Sequence, residues 1–358
     1  MSLRTLSTTY AIRSATFAAL TIAIATAASP LWAQQNAVGQ ATVPVTVANF
    51  KRAESDLYFG NIVKLGGFGK LYHYRTPTPI EDQQVVAMNR DTLYSGGVFD
   101  LDASPVTITL PDTGKRFMSL LVITEDHYAP PVVYAPGTYT IDKAMTGTRY
   151  VMLAIRTFVN ANDPADIKAA NALQDKMEIK QASIGEFKVP NWDPVSQGAI
   201  RDHLAALNTM SGQTTERSMG ANKADVDPVF HLLATAVGWG LNPPEAAVYN
   251  AVYPTANDGN TVYKLTVKDV PVDGFWSISV YNAKRYFEKN PLDSYSVNNV
   301  TAKPNPDGSY TIQFGGCAKE TPNCLFTPAG WNYNVRQYRP RKEIIEGSWV
   351  FPKAEPVK

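Results

Sequence analysis

The spacing of apolar residues divides the chain into a helical start and a β-rich continuation. Between residues 46 and 65, apolar side chains recur every three or four positions and include Phe50, Ala53 and Leu57. This spacing predicts an amphipathic helix. Beyond the glycine pair at 66–67 the apolar period shortens to two, which is typical of half-buried β-strands.

Four segments of the first β region are predicted as strands. Residues 106–110 alternate apolar and polar side chains between two prolines. Residues 116–123 are more uniformly apolar, which indicates a strand covered on both faces. Residues 138–141 and 149–159 continue the same antiparallel pattern.

Three Asp-Pro pairs predict three helix starts. An aspartate side chain can accept hydrogen bonds from the first unpaired N–H groups of a helix, and proline suits the first helical position. The pairs are Asp163-Pro164, Asp193-Pro194 and Asp227-Pro228, and each precedes apolar residues at helical spacing. A helical segment over residues 161–246 is therefore predicted between two β regions.

The second β region begins near Tyr249. Strands are predicted over 261–267, 274–281 and 331–338, and the tight-turn pair Asp307-Gly308 predicts a hairpin between residues 301 and 313. Several short antiparallel strands with aromatic faces indicate a sandwich or jelly roll.

The predicted fold is mainly β with a helical middle segment, of the α+β class, with two antiparallel β domains. Its parts are a signal peptide, an N-terminal segment with a helix, an N-terminal β domain, a helical connector and a C-terminal jelly-roll-like domain. Their predicted bounds are 1–33, 34–65, 66–160, 161–246 and 247–358.

The first 33 residues predict export. Two arginines without an acid, an apolar run over 15–28 and a small residue at Ala33 form the layout of a secretory signal peptide. No later segment has the roughly 18 consecutive apolar residues of a membrane-spanning helix. A periplasmic or secreted protein without a membrane span is therefore expected.

Charge and cysteine content fit this compartment. The formal net charge of +1 falls to −1 when the two arginines of residues 1–33 are removed. A nearly neutral protein lacks the basic surface that nucleic acids and anionic membranes attract. Cys317 and Cys324 are the two cysteines of the chain, and in an oxidising compartment they predict a disulfide that closes a turn.

The first candidate site is the polar run Asn89, Arg90, Asp91 and, after Thr92 and Leu93, Tyr94. Arg90 can clamp a carboxylate or phosphate through two parallel hydrogen bonds, with Asp91 beside it and Asn89 and Tyr94 as ligand-binding groups. The alternative is a buried Arg-Asp network that stabilises the fold.

The second candidate site is the run Glu125, Asp126, His127 and Tyr128, which follows the strand over 116–123. A carboxylate beside a histidine can tune a general base, and Glu125 and His127 alternate onto one face. Asp126 and Tyr128 are then ligand-binding groups, although Asp126 can equally cap a turn.

Other chemistries receive little support from the sequence. The four histidines show no metal-ligand spacing, so neither a metal site nor a cofactor is predicted. The motifs of α/β-hydrolases, nucleotidases and β-lactamases are absent. Trp276 lies in an aromatic-rich strand that can stack on a ligand, although such aromatic residues usually belong to a core.

Several strings resemble a two-domain bacterial family, the domain-of-unknown-function families numbered 1254 and 1214. The strings are Asn89–Tyr94, Glu125–Tyr128, 237–240, 273–282 and 338–340. The resemblance implies a β-rich N-terminal domain, a helical middle, a jelly-roll-like C-terminal domain and a tendency to form homo-oligomers. It implies no reaction.

Two functions follow from these clusters. The first is an exported hydrolase or lyase for a small acidic or aromatic compound, in which Arg90 orients the anion and Glu125 or His127 moves protons where the strand ends converge. The second is a non-catalytic ligand-binding or assembly module of the cell envelope. Both functions require a small-molecule ligand or a protein partner rather than a nucleic acid.

Overall fold

The computed structural model describes residues 41–83, 86–130, 132–211 and 217–358, and the predicted signal peptide lies outside them. Residues 42–358 pack as one compact unit. The described chain has sixteen strands in four sheets and six helices, which confirms a mainly β fold with a helical middle segment. None of the helices in these ranges is long and apolar enough to cross a membrane.

The N-terminal half contains a five-stranded sheet and a three-stranded sheet, both antiparallel. The five-stranded sheet has the order β1-β2-β7-β4-β5, and the three-stranded sheet has the order β6-β3-β8. Their strands are β1 (Tyr72–His73), β2 (Thr92–Asp100), β3 (Val106–Leu110), β4 (Met118–Thr124), β5 (Val133–Tyr134), β6 (Gly137–Ile141), β7 (Tyr150–Phe158) and β8 (Glu178–Gln181).

Apolar side chains from the two sheets form the N-terminal core. Ile108 of β3, Leu120 of β4 and Leu153 of β7 are among its fully buried members. Every residue of β4 is buried, which confirms that this strand is covered on both faces. Its second face packs on the helical layer through Leu121 and Ile123.

The helices are α1 (Phe50–Lys64), α2 (Lys143–Thr146), α3 (Pro164–Gln174), α4 (Pro194–Met210), α5 (Pro228–Val237) and α6 (Lys342–Ile345). Helices α3, α4 and α5 begin at the three prolines, and the predicted aspartates cap them. Asp163 accepts from the Ala165 N–H, and Asp193 and Asp227 each accept from two N–H groups. The segment is not wholly helical, because β8 lies between α3 and α4 and pairs with β3.

The apolar stripe predicted for α1 is only partly buried. Phe50 and Ala53 are fully buried, whereas Leu57 is 39 % exposed. The inner face of α1 contains Glu54 and Asp56 instead, which bind side chains of the helical layer. Polar contacts therefore position this helix as much as apolar packing does.

The C-terminal half is a sandwich of two four-stranded sheets, with orders β14-β13-β10-β16 and β12-β11-β15-β9. Their strands are β9 (Ala247–Val252), β10 (Tyr263–Val267), β11 (Trp276–Tyr281), β12 (Ser296–Asn298), β13 (Tyr310–Phe314), β14 (Cys324–Leu325), β15 (Asn332–Tyr338) and β16 (Glu355–Pro356). Pairing is antiparallel except between β13 and β14. The core between the sheets contains Trp276, Phe314 and Trp331.

The hairpin predicted around Asp307-Gly308 is wrong. The turn exists, with Gly308 at φ 81°, but β13 pairs with β10 and β14. The residues before the turn form no strand, and Pro304 among them lacks the N–H that a ladder needs.

Aromatic rings join the two halves. Phe117 and Phe158 from the N-terminal half contact Phe275 and Tyr338 from the C-terminal half, with ring centroids 5.0 to 5.6 Å apart. This contact brings the end of β15 close to β7 and so sets the position of the site described next.

Candidate functional site

An arginine on the five-stranded sheet is the centre of the candidate site. Arg156 is the single charged residue of β7 and is partly buried. The sheet register places it between Tyr94 of β2 and Ser119 of β4. Its guanidinium lies over the Tyr94 ring, 5.5 Å from the centroid.

The acceptors bound to Arg156 are neutral. Its guanidinium donates to the Asn242 side-chain oxygen at 3.2 Å and to the Gly240 carbonyl at 3.4 Å. Among the described residues, no carboxylate forms an ion pair with Arg156. Burial opposes the charged form, but nearby phenols, Tyr94 first among them, outweigh it and raise the pKa of Arg156. The arginine is therefore a permanent cation without an anionic partner in the described chain.

Phenol groups surround this cation. The Tyr338 hydroxyl accepts from the Asn89 side chain at 2.9 Å, and the Tyr249 hydroxyl accepts from the Asn242 side chain at 2.8 Å. Burial raises the pKa of Tyr338 well above its ordinary value. Tyr338 therefore stays protonated at neutral pH, and its side chain is 2 % exposed.

A second arginine next to these phenols is exposed. Arg339 lies over the Tyr134 ring at 4.5 Å, and burial raises the pKa of Tyr134 to about 12. We call the group the Arg156 site, and it consists of Tyr94, Tyr134, Arg156, Asn242, Tyr249, Tyr338 and Arg339.

His127 lies behind the Arg156 site, with both of its ring nitrogens occupied. Nδ1 is 2.8 Å from the Thr235 hydroxyl oxygen, whose own hydrogen is donated to the His231 carbonyl. Nδ1 must therefore donate, while Nε2 accepts from the Gly240 N–H at 2.8 Å. Burial lowers the pKa of His127 well below its usual range, so the ring is neutral.

These bonds connect His127 to the site through one peptide segment. The N–H of Gly240 binds His127, and the carbonyl of the same residue accepts from Arg156. His127 is completely buried and has a positive φ of 64°. Its role in the structure is to hold the segment that follows α5 against β7.

The neighbours of His127 in sequence form a separate network with α1. Asp126 accepts from Arg52 at 2.7 Å, and Glu125 accepts from the Tyr150 N–H at 2.9 Å. Tyr128 stacks on His231 with 4.8 Å between centroids. Burial raises the pKa of Glu125. These contacts are typical of a buried ion network that stabilises the fold.

Asp56 is a member of this network that the sequence patterns did not reveal. It is 3 % exposed, and one carboxylate oxygen accepts from the Trp192 indole at 2.8 Å. Its other oxygen has no hydrogen-bond partner in the described chain. Burial, reinforced by the charge of Glu125, raises the pKa of Asp56 to about 7.

The polar run at 89–91 lies between the two halves and contributes to two different places. Asn89 binds Tyr338 of the Arg156 site, whereas Arg90 lines a neighbouring groove. Asp91 is 1 % exposed and accepts from the Asn298 side chain at 3.1 Å, and burial raises its pKa. Asp91 therefore belongs to a buried network that also lines the groove.

The two predicted clusters do not converge on one pocket. Strands β2 and β4 both run antiparallel to β7, with Thr92 opposite Phe158 and Thr124 opposite Val151. The first cluster precedes its strand and the second follows its strand, so they lie at opposite ends of β7. Seven residues of strand separate them by about 23 Å.

The remaining predicted residues have structural positions. Trp276 is 2 % exposed in the sandwich core, where it contacts Tyr310 and Phe351. Cys317 and Cys324 form the predicted disulfide. No group of three or more histidine, cysteine or acidic side chains suited to a metal ion occurs in the described ranges.

Sequence reasoning missed most of the Arg156 site. One signal was present, because a lone arginine within the apolar run of β7 is unusual for a buried strand. Asn242 and Tyr249 carry no comparable signal, since they lie in different elements and meet Arg156 only in the folded chain.

The sequence matches two families described as proteins of unknown function, DUF1254 over residues 68–143 and DUF1214 over residues 251–342. The VPA0106 protein of Vibrio parahaemolyticus has a similar structure, with a TM-score of 0.66, 18 % identity and coverage of 87 % of this chain and 98 % of that chain. An uncharacterized protein of Burkholderia cenocepacia gives a TM-score of 0.49 at 16 % identity, with 87 % of each chain covered. No curated protein matches the chain. The likeness to the Vibrio protein shows a common fold.

Proposed function

We propose that this protein, which carries a DUF1254 region followed by a DUF1214 region, binds a small organic anion at the Arg156 site. The observation that carries this proposal is the partly buried Arg156 without a carboxylate partner in the described chain. A cation that is removed from water without an opposite charge destabilises the fold. A bound anion would supply that charge and would form short, charge-assisted hydrogen bonds.

The surroundings of Arg156 favour an aromatic carboxylate over an inorganic ion. Tyr94 offers a ring face beside the guanidinium, and Tyr338 offers a hydroxyl hydrogen. Aromatic walls recognise flat, apolar ligands, while the arginine orients the acidic end. This chemistry agrees with the small acidic or aromatic ligand expected from the sequence.

We favour binding over the hydrolase or lyase reaction. The expected reaction relied on His127 or Glu125 to move protons. Both nitrogens of the His127 ring are engaged in structural hydrogen bonds, and Glu125 accepts from the Tyr150 N–H and pairs with Arg52. A general base needs a free nitrogen within reach of the substrate proton. The contacts of His127 support a positioning role, in which it holds the Gly240 peptide against Arg156.

Replacing Arg156 by glutamine should weaken binding of benzoate about 10- to 100-fold, because a hydrogen bond to a charged group contributes roughly 1.5–3 kcal/mol. Isothermal titration calorimetry with the purified protein measures this change. Arg341→Gln is the matched control, since it removes the same charge from an exposed ion pair with Asp273. Equal affinity of wild type and Arg156→Gln, or no binding of benzoate by the wild type, would contradict the proposal.

We further propose that the chain is exported and cut after Ala33. The Cys317–Cys324 disulfide supports an oxidising compartment. Intact-mass measurement of protein from the periplasm should give the mass of residues 34–358 less two hydrogens, and reduction should restore them. A retained N-terminal segment or free thiols would refute this assignment. The native mass of the same sample tests the homo-oligomer that the resemblance implies.

A further inference from the structure

A groove between the two halves of the protein is separate from the Arg156 site. It consists of two adjoining cavities with volumes of about 310 and 570 Å³. Both are lined by Arg90, Ala161, Asn162, Asp293 and Tyr295, so these residues mark their junction. The volumes are within the range of known small-molecule sites.

One tyrosine positions a positive and a negative group at this junction. The guanidinium of Arg90 lies over the Tyr295 ring, 5.3 Å from its centroid, and donates to the Thr78 carbonyl. The Tyr295 hydroxyl donates to the Asp293 carboxylate at 3.1 Å. Within the described residues, neither Arg90 nor Asp293 belongs to an ion pair. Two opposite charges therefore lie at the same junction, and Asp91 lines the smaller cavity next to Arg90.

The larger cavity adds an apolar wall to this charged junction. Its apolar lining residues are Pro79, Ile80, Pro164, Ile167 and Leu292. The charged residues Glu81 and Lys289 at the same cavity are already paired at 3.1 Å. An aliphatic group that entered beside them would bury its surface without displacing a charge.

We propose that this groove binds a free α-amino acid with an aliphatic side chain. Arg90 binds the carboxylate, Asp293 binds the ammonium group, and the side chain packs on Ile80, Ile167 and Leu292. A zwitterion matches the two charges better than a simple carboxylate, which would leave the ligand's acidic group beside Asp293 without compensation. The smaller cavity is lined by Asp91 and by hydroxyl and amide side chains such as Ser296, Thr301 and Asn160.

Calorimetry with three probes tests the recognition of both charges. L-leucine should bind, whereas 4-methylpentanoate, which lacks the ammonium group, and 3-methylbutylamine, which lacks the carboxylate, should each bind at least about tenfold more weakly. If 4-methylpentanoate bound as tightly as L-leucine, the groove would recognise only the carboxylate, and the proposal would be overturned. No binding of leucine at millimolar concentration would overturn it as well.

Asp293→Asn is the decisive variant. Asp293 has a positive φ of 48°, which asparagine tolerates, and the amide oxygen can still accept from Tyr295. Folding should therefore be preserved, while leucine affinity falls at least about tenfold. Glu186→Gln is the control, because it removes a carboxylate from an exposed ion pair that does not line the groove, and it should leave leucine affinity unchanged. Arg156→Gln should leave leucine binding unchanged too. A negative result at one site therefore leaves the proposal for the other site standing. Unchanged leucine affinity in Asp293→Asn would contradict the assignment.

Discussion

Replacing Glu54 by alanine should lower the free energy of unfolding by about 3 kcal/mol. Glu54 is completely buried on α1, where both of its oxygens accept from Arg201 of α4 at 2.7 Å. Gln197 donates to the same carboxylate at 2.9 Å. Removing one partner of a buried ion pair typically costs 3–5 kcal/mol. We expect a loss at the low end of this range because the Arg201 side chain is 32 % exposed and can reach water.

A surface ion pair of similar length provides the control for Glu54. Lys188 and Glu186 are 2.7 Å apart, but both side chains are more than half exposed. Glu186→Ala should change the free energy of unfolding by less than about 1 kcal/mol. Chemical denaturation of both variants and wild type measures the difference. Similar losses in the two variants would mean that burial does not determine the strength of the Glu54 pair.

Asp56→Asn should make the protein more stable above neutral pH. The raised pKa of Asp56, about 7, means that the folded protein prefers the protonated acid. The stabilisation is complete below the unfolded pKa and is lost as the pH rises through 7. Between pH 5 and pH 8 the wild type should lose about 3 kcal/mol through this one group. The asparagine does not titrate, and its oxygen can still accept from Trp192.

Urea denaturation at several pH values separates Asp56 from the other titrating groups. Glu125, Arg52 and Asp126 are the charged groups that act on Asp56, and they remain in both proteins. The difference between the two stability curves therefore belongs to Asp56. Parallel curves for wild type and Asp56→Asn would show that the acid is ionised throughout this range.

The sequence predicted the helices and strands that are determined by residues close together in the chain. The Asp-Pro pairs fix three helix starts because the capping aspartate and the N–H groups that it binds are neighbours in the chain. The alternation over 106–110 predicted β3 because one face of that strand is buried. For the same reason the exposed, four-residue β8 was missed, since it gives only a brief alternation.

The parts that were not predicted depend on which segments meet in space. The sequence cannot show that β2 and β4 run in the same direction on either side of β7, and this direction separates the two polar clusters. It also cannot show that Asn242 turns its side chain towards Arg156. Asn89, Tyr94 and His127 were selected for their polarity, and their roles were decided by contacts with residues far away in sequence.

The position of β7 in the five-stranded sheet determines which fragments of this protein keep a complete sheet. The DUF1254 match ends at residue 143, but β7 and β8 lie beyond it. Without β7 the five-stranded sheet would split between β2 and β4, and without β8 the outer edge of β3 would be bare. Open strand edges pair with other chains and cause aggregation. A gene fragment limited to the matched region would therefore encode incomplete sheets, and a fragment that keeps both sheets has to extend through β8.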